Sequence, residues 1–120
     1  EGEVWEAAMS SAHFKLSNLT AIVDKNRLQI DGATSEVMNI DPLDEKFRSF
    51  GWQALVVDGH DFKQLLSAFR FAAQERRCPT VIIANTVKGK GVSFMENNLE
   101  FHGRAPTEEE LKWALAELGE

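Results

Sequence analysis

Leu19-Thr20-Ala21-Ile22-Val23, running straight into Asp24-Lys25-Asn26-Arg27-Leu28-Gln29-Ile30-Asp31-Gly32, is the stretch that decides how this chain folds. The first five residues are a continuous apolar run of strand length, which predicts a β-strand buried on both sides. The polar loop that follows offers the neutral amide oxygen of Asn26, the free backbone carbonyl of Leu28 and a turn at Asp31-Gly32. Magnesium bound against a phosphorylated ligand takes this kind of oxygen donor, few from protein and the rest from phosphate and water. By itself the same string also suits an ordinary turn.

Working outward, apolar periodicity switches repeatedly between the helical and the strand pattern. Gly2 to about Leu16 predicts a helix, with Val4, Trp5, Ala8, Met9 and Ala12 on or near one stripe. After the Asn26 loop, roughly fifteen residues long and so of a length often functional, Pro42 opens a helix through Phe50 that Gly51 stops. Gln53 to Val57 is a second strand, ended by Asp58-Gly59-His60-Asp61. Here His60 is a turn residue and Asp61 caps the next helix. In that helix Phe62, Leu65, Leu66, Phe69, Ala72 and Ala73 recur at helical spacing, which predicts a core face. Thr80 to Ala84 is a third strand, and Asn85-Thr86 at its carboxyl end is where such sheets meet ligands. Lys88 to Ala105 lacks periodicity and reads as a loop. Pro106-Thr107 opens a last helix, with Thr107 and Glu110 spaced as a capping box and Leu111, Leu115 and Leu118 on one stripe. The alternation predicts one α/β domain over residues 1–120, a layered, mostly parallel sheet with helices on both faces.

Composition limits what such a domain can do. Hydrophobic residues make up 43% and charged residues 27% of the 120, ordinary for a globular domain. The formal charge of −6 argues against an electrostatic nucleic-acid binder. No stretch approaches the roughly 20 apolar residues that span a bilayer, nothing resembles a signal peptide, and the expected location is the cytoplasm. Cys78 is the only cysteine, a small buried or half-buried residue with no internal disulfide partner. Lys88 and Lys90, interleaved with Gly89 and Gly91, form the one basic spot among glycines; without the Walker spacing it is equally a flexible polar loop.

The order Glu1-Gly2-Glu3-Val4-Trp5-Glu6-Ala7-Ala8-Met9, His13-Phe14-Lys15-Leu16, the Asn26 loop, Val87-Lys88-Gly89-Lys90-Gly91 and Phe101-His102-Gly103-Arg104-Ala105-Pro106 resembles transketolase. More narrowly it is similar to the cofactor-binding first domain, in some organisms a separate amino-terminal subunit. The resemblance covers nearly the whole chain and implies a partial thiamine-diphosphate-binding fold. It implies thiamine diphosphate and Mg2+ (or Ca2+ or Mn2+) as cofactors, with Asn26 and the Leu28 carbonyl as metal ligands. The family's metal aspartate lies in a Gly-Asp-Gly motif. Glu1-Gly2 resembles the pair lying a few residues after it, so the chain looks truncated downstream of that aspartate. Gly2 and Ile30 are then cofactor-binding, Ile30 lying against the ring system, and His102 sits near the diphosphate and the reacting centre.

Glu1 and Glu6 match acidic residues near a dimer interface and count with His102 as the catalytic candidates. From the residues alone, Glu1 and Glu6 equally suit a solvated first helical turn, and a lone loop histidine equally suits a surface group. Ketol transfer between sugar phosphates is the implied activity. A pyrimidine-binding domain or carboxyl-terminal subunit completes the site in a homodimer or heterotetramer, with no nucleic acid and no membrane as partner, and the chain alone is expected not to turn over. Deoxyxylulose-phosphate synthase, dihydroxyacetone synthase, the α subunit of a 2-oxoacid dehydrogenase, and a non-catalytic interaction module are the alternatives.

Overall fold

A computed structural model describes residues 1–119. Its elements in order are α1 (Gly2–His13), β1 (Thr20–Lys25), β2 (Leu28–Gln29), β3 (Gly32–Ala33), α2 (Thr34–Val37), α3 (Leu43–Ser49), β4 (Gln53–Asp58), α4 (Phe62–Gln74), β5 (Thr80–Asn85), a 3-10 turn (Leu99–His102) and α5 (Glu108–Leu118). They group into two compact units. Residues 1–25 and 41–85 form the first, and Asn26–Ile40 with the chain from Thr86 onward forms the second.

The first unit is a parallel three-stranded sheet, order β1-β5-β4, flanked by helices. Thr80 pairs with both Thr20 and Gln53, and Asn85 with both Lys25 and Asp58, so the three strands end level. Central β5 is hydrogen-bonded on both edges. Its β-branched Val81, Ile82 and Ile83 are 0–2% exposed, and burying each such side chain is worth about 1.5–3 kcal/mol.

Local chemistry explains where the helices stop and start. At the end of α3, Gly51 has φ +91°, its N–H donates to the Arg48 carbonyl, and the Trp52 N–H donates to the Phe47 carbonyl. This is a Schellman motif. Its usual apolar contact is present as Trp52 against Phe47, ring centroids 5.4 Å apart. Trp5 packs on the same Phe47 at 5.4 Å, and the Trp52 Nε1–H donates to the Ala8 carbonyl at 2.8 Å, tying α1 to this cluster. Asp61 caps α4 through the Lys63 and Gln64 amides. His60 lies in the turn, its N–H held by the Asp58 carboxylate.

Three expectations need correction. β1 is an edge strand, alternately exposed and half-buried with Ile22 58% exposed, and is not buried on both sides. The apolar stripes of α1 and α4 are only partly core. Ala8, Ala68 and Ala72 are buried, whereas Val4, Met9, Phe62, Leu66 and Phe69 are exposed. An apolar run or stripe reports that a face is suited to burial, while coverage depends on what packs against it. Finally, the Asn26 loop holds secondary structure of its own: β2 and β3 pair antiparallel and lead into α2, and the turn falls at Ile30-Asp31 with Gly32 inside β3.

In the second unit, α5 starts on the expected capping box. Thr107 Oγ1 accepts from the Glu110 N–H, and the Glu110 carboxylate accepts from the Thr107 N–H. Ser93 anchors the long loop to α5, donating its N–H and hydroxyl to the Glu117 carboxylate, a contact that holds that carboxyl below its usual range.

Candidate functional site

Asn26 and Leu28 are organised by one local device. Arg27 adopts φ +65°, and this left-handed step folds the chain so that Asn26 Oδ1 accepts the Leu28 N–H at 2.9 Å. The Thr34 N–H donates to the Arg27 carbonyl, which makes Leu28 and Ala33 the non-hydrogen-bonded pair of the ladder. The N–H and C=O of Leu28 therefore both point away from β3. The N–H is taken by Asn26, and the carbonyl is left on the same side as the Asn26 amide. A turn that spends one lone pair of Oδ1 thus keeps two neutral oxygens together.

Those residues line a cavity of about 250 Å3 with Gln29, Ile30, Lys88, Leu99 and His102, all within the second unit. His102 is the exposed last residue of the 3-10 turn, whose start is capped by Asn98 Oδ1 accepting from the Glu100 N–H at 3.0 Å. Lys88 precedes Gly89, which has φ +72° and would place an added Cβ 2.5 Å from the Met95 carbonyl oxygen. Only glycine fits there, and it fixes how the chain leaves Lys88.

The wall combines two oxygens suited to a hard cation, a lysine ammonium suited to an anion, a histidine able to donate or accept, and the apolar surface of Ile30 and Leu99. Among the described residues no three His, Cys, Asp or Glu side chains cluster as ligands. A cation here would rest on neutral oxygens and on oxygen brought by its ligand, as Mg2+ with a diphosphate does. The donor set fits that group.

Of the residues singled out in the sequence, Asn26, Leu28, Ile30 and His102 share this cavity. Glu1, Gly2 and Glu6 do not line it; they belong to the first unit, exposed at the start of α1, where Glu1 makes no capping hydrogen bond. Gln29, Lys88 and Leu99 also line the cavity without a motif in the sequence that marks them as site residues. For Lys88 the sequence signal is its place between Val87 and Gly89 in a glycine-interleaved basic segment, and the structure adds that no other residue fits at Gly89.

Comparison with known proteins identifies the family. The family described as "Transketolase, thiamine diphosphate binding domain" matches residues 1–120. The chain is 44% identical over 118 residues to a 6-deoxy-6-sulfo-D-fructose transketolase subunit of Clostridium sp. (strain MSTE9), covering 98% of this chain and 43% of the relative. It is 40% identical over 120 residues to an apulose-4-phosphate transketolase subunit of Phocaeicola vulgatus, covering all of this chain and 43% of that one. The chain thus spans less than half the length of these relatives. Transketolase from Campylobacter jejuni superposes with a TM-score of 0.92 at 30% identity, over 99% of this chain and 18% of that structure. Transketolase from Pichia stipitis, in complex with sedoheptulose-7-phosphate, gives 0.91 at 27%, again over 99% and 18%. With a cavity of fitting chemistry and a family match end to end, the chain belongs to the thiamine-diphosphate-binding domain family of the transketolases.

Proposed function

We propose that this chain is the cofactor-binding part of a transketolase that moves a two-carbon ketol unit from a ketose phosphate to an aldose phosphate, using thiamine diphosphate and Mg2+. Ca2+ or Mn2+ could use the same oxygen donors. The observation that carries the reading is the single cavity joining Asn26, Leu28, Ile30, Lys88 and His102. When bound, thiamine diphosphate supplies a thiazolium carbon that can break and remake the carbon–carbon bond beside a carbonyl. The protein's tasks are position and proton handling.

In this reading Asn26 Oδ1 and the Leu28 carbonyl hold the cation, and the Lys88 ammonium offsets phosphate charge. Ile30 offers an apolar surface to the ring system. His102 donates from an imidazole nitrogen to a phosphate oxygen or a sugar hydroxyl, or accepts a proton from that hydroxyl. On the family resemblance alone, Gly2 is assigned to the cofactor, and Glu1 and Glu6 to proton sharing at a subunit boundary. A pyrimidine-binding domain or carboxyl-terminal subunit completes the site, in a cytoplasmic homodimer or heterotetramer. The names of the relatives, which are those of subunits, support a partner chain.

The test is donor preference in the full protein reconstituted with its partner. Ketol transfer from xylulose phosphate, with little use of pyruvate, is expected. Preference for pyruvate would move the assignment to another thiamine-diphosphate enzyme.

A further inference from the structure

His102 is followed by Gly103, whose φ is −131° and around which an added Cβ would meet nothing within 4 Å. Glycine has the widest backbone freedom, so covalent connection on this side leaves the imidazole poorly located. The next residue removes that freedom. Arg104 forks onto Glu110, Nη1 to Oε2 at 2.7 Å and Nη2 to Oε1 at 2.9 Å. Its guanidinium also lies 4.2 Å over the ring of Phe101, the residue just before His102. Phe101 in turn packs on Phe94 at 5.7 Å.

Glu110 is itself held by several donors. It is the third residue of α5, and the Oε2 that receives Arg104 also accepts the Thr107 N–H at 2.7 Å. These donors hold its carboxyl down at about 2, the Arg104 hydrogen bonds first among them.

We infer that Arg104 is a positioning residue for His102: forked to the first turn of α5 and stacked on Phe101, it fixes the 3-10 turn that presents the imidazole to the cavity. An exposed ion pair of this kind adds little to global stability. A planar, two-pronged contact is nevertheless well suited to setting orientation, which a lysine at the same place would not reproduce. The inference rests on the reading of His102 as a functional group.

The experiment is a double-mutant cycle in the full protein with its partner subunit. Arg104→Gln, His102→Ala and the double variant are compared by kcat/KM for ketol transfer from xylulose phosphate and by the calorimetric Kd for thiamine diphosphate with Mg2+. Small displacements of a reacting group cost rate steeply, so Arg104→Gln is expected to lower kcat/KM by about tenfold and to weaken cofactor binding in the native background. Both effects should vanish in the His102→Ala background, because a residue acting through His102 has nothing left to position. Glu110→Gln keeps a capping-box residue while losing the ionic fork, and should copy Arg104→Gln even if that variant folds poorly.

Arg104→Lys should stay close to Arg104→Gln. Full recovery with lysine would show that charge suffices and overturn the role of the fork. Equal losses in both backgrounds, or no loss from Arg104→Gln and Glu110→Gln, would overturn the inference while leaving His102 in place. No effect of His102→Ala would remove the reading beneath it as well.

Discussion

Gly89→Ala is a one-carbon change whose consequence can be worked through. Gly89 sits at φ +72°, and the new Cβ would lie 2.5 Å from the Met95 carbonyl oxygen and 2.7 Å from the carbonyl carbon. Both are backbone atoms, so no side chain can swing aside and the loop itself must open by a half ångström or more. Alanine in the left-handed region costs about 1–2 kcal/mol, and overpacking of this size about 1–3 kcal/mol. The sum, about 2–5 kcal/mol, is a large share of a domain's usual margin of about 5–15 kcal/mol.

That strain should be local. The Val92 N–H donates to the Gly89 carbonyl at 3.2 Å and the Asn97 N–H to the Lys88 carbonyl at 2.9 Å, so both bonds depend on this turn. Amide hydrogen exchange is the assay. Val92 and Asn97 should lose protection by about 30-fold or more, the equivalent of 2 kcal/mol, while Ile82 and Ile83 in β5 keep theirs. Cofactor affinity should fall as well, because Lys88 leaves its place. Gly103→Ala is the control, with open space and an ordinary φ, and should change nothing in this loop. Unchanged exchange at Val92 and Asn97 in Gly89→Ala would refute the steric argument.

Three further outcomes are expected. Thr80 is fully buried and its hydroxyl has no hydrogen-bond partner among the described residues, so Thr80→Val should raise stability by about 1 kcal/mol in denaturant titration. A loss would mean that the hydroxyl is satisfied. Asn26→Ala should weaken Mg2+-dependent cofactor binding by more than tenfold, since contacts to charged partners are worth about 1.5–3 kcal/mol. Asn26→Asp, which keeps the acceptor for the Leu28 N–H, should bind better than the alanine variant, and the reverse order in calorimetry would count against metal ligation. Glu75 is held at about 2, down from 4.5, chiefly by its hydrogen bonds from the Arg77 side chain and then its backbone. A carboxyl depressed in the folded state contributes stability above its unfolded value, lost as pH falls from 4.5 towards 2. Denaturation across that window should therefore be less pH-dependent in Glu75→Gln, and an unchanged slope would exclude this source.

Features set by neighbours in sequence were legible there. The Asp61 cap, the Thr107–Glu110 box, the Gly51 stop and the strand at Thr80–Ala84 depend on a few adjacent residues and stand as expected. What depended on distant packing was not. The apolar run at Leu19–Val23 reads alike for a covered and an uncovered strand, and what packs on each face of β1, not its own residues, decides that Ile22 is exposed while Ala21 and Val23 are half-buried. The α4 stripe likewise could not tell whether anything covers Phe62 or Leu66. Of the residues lining the candidate cavity, Asn26, Leu28, Ile30 and His102 are named by motif order in the sequence, whereas Lys88 joins them only through the backbone path at Gly89. The Arg104–Glu110 fork is not legible in the sequence, where Glu110 shows only as the capping-box partner of Thr107 and the spacing of six carries no contact signal.

The central claim is that the cavity holds thiamine diphosphate through a cation on Asn26 and Leu28. The most direct measurement is calorimetric titration of thiamine diphosphate into the full protein with its partner, with Mg2+ and again after EDTA, in native and Asn26→Ala forms. Binding should need Mg2+ in the native protein and be strongly weakened by Asn26→Ala. Binding of equal strength with EDTA, unaffected by Asn26→Ala, would contradict the claim.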